Sequence, residues 1–172
     1  MDYEFFMGKA IEEARQALSI GEFPVGCVMV YDDRVLVTGT RRHSAPDKHN
    51  ELDHAEMLAL RRLIDLEQQV DRSKVALFST LEPCLMCYSA LIVNGIRTIV
   101  YAYEDVLGGG AKLDLTRLNP FYREMKVAIV QGVLRHESLR LFKDFFSDPN
   151  NNYLRGTLLA EHATNEELSV SC

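Results

Sequence analysis

Positive charge is scarce in this chain: 19 Lys and Arg stand against 25 Asp and Glu, a formal net charge of −6. Proteins that bind nucleic acid broadly present a basic face, so strong non-specific affinity for a polyanion is excluded, although a focused contact is not. The local basic clusters are Arg41-Arg42, with Lys48 nearby, and Arg61-Arg62. The second reads as a solvated helix face, and the first lies in a loop where it can meet a phosphate. Long apolar runs are missing too: none approaches the ~20 residues of a membrane-spanning helix. The first residues lack the charged-then-apolar pattern of a secretory signal. Cysteine numbers only 4, and with two assigned below to a metal no disulfide framework remains, which makes a reducing cytoplasm the expected compartment. There are no internal repeats and no linker long enough to define a second domain. One domain is expected over residues 1–163, with a flexible tail over 164–172.

Two short stretches carry chemistry. His54-Ala55-Glu56 supplies an imidazole and, two residues on, a carboxylate; Pro83-Cys84-Leu85-Met86-Cys87 supplies two thiols three positions apart. Positions i and i+3 share a helix face, so both sulfurs can reach one ion. Pro83 suits the first turn of a helix, and a helix over 84–94 ends at Gly95, a residue fit for a left-handed cap. A helix N-terminus favours the thiolate, the form that binds metal. Ala55, Leu58, Ala59, Leu63 and Leu66 recur at helical spacing, which predicts a second helix over 53–66 with Asp53 as N-cap. His54 and Glu56 then sit in its first turn on different sides, so that one can bind metal and the other can contact water and substrate.

One histidine and two cysteines make three ligands. A tetrahedral zinc with three protein ligands keeps a position open for water or substrate, the mark of a catalytic rather than a structural site, and a carboxylate beside it can move protons. A C-x-x-C pair is also compatible with a redox couple or half of a closed structural zinc site. The redox reading lacks a thioredoxin-like context. A closed site needs a fourth ligand, for which His43 and His49 in the upstream loop are available, but it leaves Glu56 without a role. Cys27 lies within an apolar strand and reads as a core thiol.

The remaining elements follow from pattern. An amphipathic helix is marked by Tyr3, Phe6, Met7, Ala10, Ile11, Ala14 and Leu18. Strands are expected at 25–31 and 34–40, joined at Asp32-Asp33 as a hairpin, and at 75–80, 96–102 and 126–131. A polar loop spans 41–52 and a long connection 104–122, with a short helix near Leu113. Helices are expected at 137–146 and 153–162, separated by a break at 148–152. This order predicts an α/β fold: a three-layer α/β/α sandwich around a five-stranded mixed sheet, its last two strands parallel.

The chain resembles the cytidine deaminase-like superfamily and, within it, the bacterial tRNA adenosine deaminases and their nucleoside and guanine deaminase relatives. The resemblance is carried by Gly21-Glu22-Phe23-Pro24-Val25-Gly26, His54-Ala55-Glu56, Thr80-Leu81-Glu82-Pro83-Cys84-Leu85-Met86-Cys87, Val100-Tyr101, Asp105, Gly109-Gly110 and Gly132-Val133-Leu134, and the pattern of zinc ligands with a separate glutamate is that of zinc deaminases of nucleobases. It runs from about Glu4 to Phe146. It implies one zinc ion per chain on His54, Cys84 and Cys87, proton shuttling by Glu56, and a base pocket lined by Phe23 and the backbone of Ala55. His43 falls where these families usually carry an asparagine that contacts base or ribose, so His43 is a further substrate-binding candidate. Phe145-Phe146 can wall the pocket or pack in the core, and Glu104 and Asp105 follow a strand end, where ligands bind in sheets of this type.

The resemblance implies a hydrolytic deaminase that turns an exocyclic amine into an oxo group with release of ammonia, and a homodimer. The substrate readings are adenosine in a tRNA anticodon loop or a free nucleobase, nucleoside or nucleotide. A zinc-bearing RNA-binding subunit without catalysis is a third reading, opposed by the presence of Glu56.

Overall fold

The computed structural model describes residues 1–45, 49–67 and 70–167. Helix α1 (Tyr3–Ser19) is capped by Asp2, whose side chain accepts from the Phe5 amide. Strands β1 (Gly26–Tyr31) and β2 (Arg34–Thr40) form an antiparallel hairpin. Asp32 and Asp33 both adopt positive φ at its tip, the geometry that matches the twist of a two-residue turn. Helix α2 (Ala55–Ile64), β3 (Ala76–Leu81), α3 (Leu85–Val93) and β4 (Thr98–Tyr103) follow. A short α4 (Pro120–Arg123) precedes β5 (Ala128–Gln131), and α5 (Arg135–Ser147) and α6 (Leu158–Asn165) close the chain.

The sheet order is β2-β1-β3-β4-β5, with β1 antiparallel to its neighbours and β3, β4 and β5 mutually parallel. The sheet is therefore mixed and five-stranded, as expected, and the strand pleat divides the core in two. Val28, Val30, Ala76, Phe78, Val100 and Ala102 meet α1 through Phe6, Met7, Ala10 and Ala14. Cys27, Met29, Leu77, Ile99 and Tyr103 meet α2, α3 and one side of α5. Each fully buried Leu, Ile or Phe in these layers stabilises the fold by ~1.5–3 kcal/mol relative to exposure. Gly39 lets α2 approach: a Cβ there would lie 2.0 Å from the Ala55 carbonyl oxygen. That contact seats the start of α2 directly on the sheet.

Several boundaries differ from expectation. The N-cap of α2 is His54, not Asp53, and it makes no capping hydrogen bond through its side chain. Asp53 is occupied by His43 and Asn50 instead. The helix expected at 153–162 forms later: Tyr153 and Leu154 lie in a turn, and Leu154 has a positive φ. The expected tail begins inside α6, which runs past Ala163 to Asn165 because Glu166 is held by Arg135 and Tyr103. The rest of that tail, from residue 168, lies outside the described residues, as does Lys48 of the basic cluster.

Candidate active site

The amino ends of α2 and α3 converge. His54 and Cys84 are their N-cap residues, both in extended backbone conformation, and Cys87 sits one turn into α3. Neither N-cap side chain caps its own helix, so both are free to turn toward each other. His54 Nδ1 lies 3.6 Å from Cys84 Sγ and 3.5 Å from Cys87 Sγ. Zinc bonds of ~2.3 Å to sulfur and ~2.0–2.1 Å to nitrogen at a tetrahedral angle place those atoms about 3.6 Å apart. The three donors are thus set for one ion, and among the described residues no fourth His, Cys, Asp or Glu joins this cluster. His43 and His49, the residues available for a closed site, are engaged elsewhere: His43 with Asp53 and His49 with Glu51.

A metal must displace protons from these donors to bind, and Cys84 is the one most readily held as the thiolate. Hydrogen bonding from Cys87 pulls the Cys84 thiol down to about 4, with a further contribution from His54, against the opposing effect of burial. Cys87, as the donor of that pair and in a buried place, is raised. Burial disfavours charge on His54, yet Cys84, Glu56 and Glu51 together raise it to about 9. Its other ring nitrogen, Nε2, lies 3.0 Å from Glu51 Oε2. A carboxylate on the far nitrogen fixes ring orientation and makes a histidine a better ligand. Glu51 in turn receives the Tyr153 hydroxyl at 3.0 Å and Arg41 Nη2 at 3.0 Å.

Glu56 lies beside the cluster and is buried, 3 % exposed. Strand parity explains its partner. Ser79 shares the face of β3 that carries Leu77 and Leu81, beneath α2, and donates its hydroxyl to Glu56 Oε1 at 3.1 Å. Glu56 Oε2 is 3.7 Å from Cys87 Sγ. Burial raises the Glu56 pKa, against the opposing influence of His54 and Ser79. A carboxyl held above its ordinary range is suited to carry a proton and return it.

A pocket opens onto these groups. Phe23 and Ala55 line it with His54, Glu56 and Cys84, as do Arg41, Tyr153, Leu154 and Leu159. Phe23 is set by the 22–44 contact: Glu22 accepts from the His43 amide at 3.0 Å and from Ser44, while the Ser44 hydroxyl receives the Phe23 amide at 2.8 Å. Its ring packs edge-on or tilted against Phe142, Phe145, Phe146 and Tyr153. His43 is not among the pocket-lining residues. It has a positive φ of 58° and its Nδ1 lies 2.5 Å from Asp53 Oδ2. Asp105 and Glu82 also line the pocket, and their carboxylates gather the loop after β4 by accepting backbone N–H groups of Leu107 and Gly108, and of Asp105 and Ala111. Burial raises both. Glu104 turns away, to Arg135 and His162. The loop passes so close to the start of α3 that a Cβ on Gly110 would lie 2.7 Å from Leu85 Cα, which explains the paired glycines.

Sequence reasoning missed Glu51, Tyr153, Leu154 and Leu159, and it read Arg41 as a loop cation. Arg41 is in fact buried, at 2 % exposed, while Arg42 is exposed. The available signal was slight: Tyr153 is an aromatic residue directly after an asparagine-rich break.

The profile of the cytidine and deoxycytidylate deaminase zinc-binding region matches residues 1–103. The tRNA-specific adenosine deaminase 2 of Xenopus tropicalis is 33% identical over 155 residues, covering 86% of this chain and 90% of the relative. The tRNA-specific adenosine deaminase of Rickettsia typhi is 30% identical over 140 residues, 81% of this chain and 95% of the relative. A solved structure from work on A-to-I editing by tRNA:A34 deaminases at the wobble position is 27% identical with a TM-score of 0.62, covering 80% of this chain and 98% of that one. With three zinc donors at tetrahedral spacing and a buried carboxyl beside them, this chain belongs to the cytidine and deoxycytidylate deaminase zinc-binding family and is a zinc-dependent hydrolytic deaminase.

Proposed function

We propose that the enzyme deaminates adenosine to inosine within a tRNA anticodon loop. The reading rests on relatives of that activity, at 30–33% identity over most of both chains, joined to a metal cluster with three protein donors. His54, Cys84 and Cys87 are the proposed zinc ligands, and zinc, when bound there, supplies a water activated for attack at neutral pH. Glu56 takes one proton of the attacking water at its carboxylate and delivers it to the ring nitrogen next to the amine-bearing carbon; it then takes the second proton from the newly formed hydroxyl and passes it to the departing amine, so the carbon–nitrogen bond breaks, ammonia leaves and an oxo group remains. Ser79 holds the other carboxylate oxygen and limits the side chain to one position. Phe23 and Ala55 bound the base and hold water out of its plane. Glu51 orients His54.

A free nucleobase or nucleoside is the second reading, favoured by the acidic pocket lining of Glu56, Glu82 and Asp105 and the net charge of −6. Ammonia release from a wobble-adenosine anticodon stem-loop, compared with free adenosine, guanine, cytosine and cytidylate, separates the two. On the RNA reading, turnover is confined to the stem-loop and falls steeply with salt; turnover of small substrates alone overturns it.

The protein is further proposed to work in the cytoplasm, where thiol ligands stay reduced; no described helix is long and apolar enough to cross a membrane. It is proposed to pair as a homodimer through the outer side of α3 and the 104–122 segment, where Leu85, Val93, Leu107 and Phe121 are exposed. Light scattering that gives twice the 19.5 kDa chain mass, and a single chain mass for Leu85→Glu, is the expected result.

A further inference from the structure

Arg41 holds the one buried side-chain polar atom without a partner among the described residues, its Nη1. The residue is otherwise held by its backbone and by Nη2. Its amide donates to the Val25 carbonyl at 2.9 Å, which pins the residue at the end of β2. Nη2 reaches Glu51 Oε2 at 3.0 Å, and the guanidinium carbon stands 5.5 Å from the centre of the Tyr153 ring. A buried charged donor left unpaired is expensive, and such groups are paired in nearly all folded proteins. Arg41 lines the same pocket as His54, Glu56 and Cys84, so a pocket occupant is what can complete it.

A guanidinium only donates, so that occupant must offer an acceptor. Two observations say what kind. The positive charge of Arg41 is already matched by the Glu51 carboxylate, which lies 3.0 Å from its Nη2. Glu56, Glu82 and Asp105 also line the pocket, and among the described residues no Lys and no second Arg does, so a phosphate would find no further guanidinium or ammonium there. A neutral acceptor fits and an anionic one does not. Position follows from the same network: Glu51 links Arg41 to His54, at 3.0 Å on each side, so Nη1 keeps a set distance from the reacting end of the pocket.

We propose that Arg41 determines specificity: its Nη1 donates to a ring nitrogen or carbonyl oxygen of the base, away from the carbon that bears the amine. This deepens the deaminase reading of the pocket and rests on it.

Deaza scanning tests the proposal by binding. In a Glu56→Ala background loaded with zinc, dissociation constants are measured for the anticodon stem-loop with adenosine, 3-deazaadenosine or 7-deazaadenosine at the wobble position. With Arg41 present, one deaza loop binds about 10- to 100-fold more weakly than the adenosine loop, the range for a hydrogen bond from a charged group. With Arg41→Met, the adenosine loop binds as weakly as that analogue and the difference between the two loops disappears. Equal affinity for all three loops with Arg41 present overturns the proposal without any variant. So does a discrimination that survives Arg41→Met, or an Arg41→Met loss that is the same for every loop and vanishes at high salt, the mark of a phosphate contact. Zinc content and melting temperature are read on the same samples. If Arg41→Met does not fold, Arg41→Gln, a shorter donor, must lose the discrimination in its place. If the stem-loop is no substrate but a free base is, the tRNA reading fails alone, and the scan is repeated on that base and its deaza analogue with the same criterion. If no base releases ammonia from the Glu56 enzyme, the deaminase reading itself fails and the proposal with it.

Discussion

The donor wall of the pocket comes from two short stretches, 54–56 and 84–87, each at the start of a helix seated on the sheet, whereas a second part of its lining, Tyr153, Leu154 and Leu159, is borne by the turn and helix late in the chain. The first wall is local: each helix start fixes its own side chains, and only their meeting is long-range. The second is long-range throughout. Tyr153 reaches Glu51 at 3.0 Å across 102 positions of sequence. Helix α6 is latched by Arg135, which holds Glu104 and Glu166 at once and stands 4.8 Å over the Tyr103 ring. A local wall makes chemistry robust; a remote wall can vary substrate without touching chemistry. If so, damage to the two walls must have different signatures.

Breaking the donor wall has the largest expected effect. Cys87→Ala removes a zinc donor, so metal content by mass spectrometry should fall from one ion per chain to a small fraction of that, with ammonia release at background. Breaking the remote wall should leave zinc in place. Leu159→Ala deletes a side chain 1 % exposed and should destabilise the fold by about 2–4 kcal/mol in denaturant melts, with KM raised more than kcat is lowered. A loss of zinc in that variant would erase the distinction between the walls. Tyr153→Phe removes only the hydroxyl that Glu51 accepts and should raise KM about 10-fold, with the metal site intact.

The smallest effect expected is on the latch in acid. Arg135 hydrogen bonds hold the Glu104 carboxyl at about 2, below its ordinary value, against burial. Its contribution is therefore complete above that ordinary value, about 4.5, and is lost as pH falls through 4.5 toward 2. Amide exchange in α6 should rise over that window before α2 and α3 open, and Glu104→Gln should remove part of the pH dependence, leaving that of Glu166, which Arg135 also holds below its ordinary value.

Legibility in the sequence tracks the same divide. Periodicity and a proline locate α2 and α3 to within one or two residues, since Leu58, Ala59 and Leu63 recur on one face and Pro83 favours a helix start, although it stands one residue before the N-cap Cys84 and not in the first turn. Short apolar runs likewise locate all five strands, with ends shifted by one or two residues. What sequence pattern does not encode is which polar side chain is buried. Arg41 and Arg42 are adjacent and chemically identical, yet one is buried and the other exposed, because Arg41 alone meets Glu51 and, 112 positions away, Tyr153. The family resemblance offers His43 as a substrate contact; in the structure it has a positive φ, its Nδ1 lies 2.5 Å from Asp53 Oδ2, and it is not among the residues that line the pocket. The asparagine-rich break hides Tyr153 because turn residues announce where a helix ends and say nothing of where the chain returns.

The central claim is a zinc ion with three protein donors and one exchangeable position. X-ray absorption at the zinc edge tests it most directly, recorded on the purified protein before and after addition of a hydrated purine analogue of the reaction's midpoint. The account predicts one zinc per chain with two sulfurs at ~2.3 Å and two lighter ligands at ~2.0–2.1 Å, the scattering of a single imidazole, and a change in the non-imidazole ligand when the analogue binds. A substoichiometric metal, or two imidazoles and a spectrum that the analogue leaves unchanged, would contradict it.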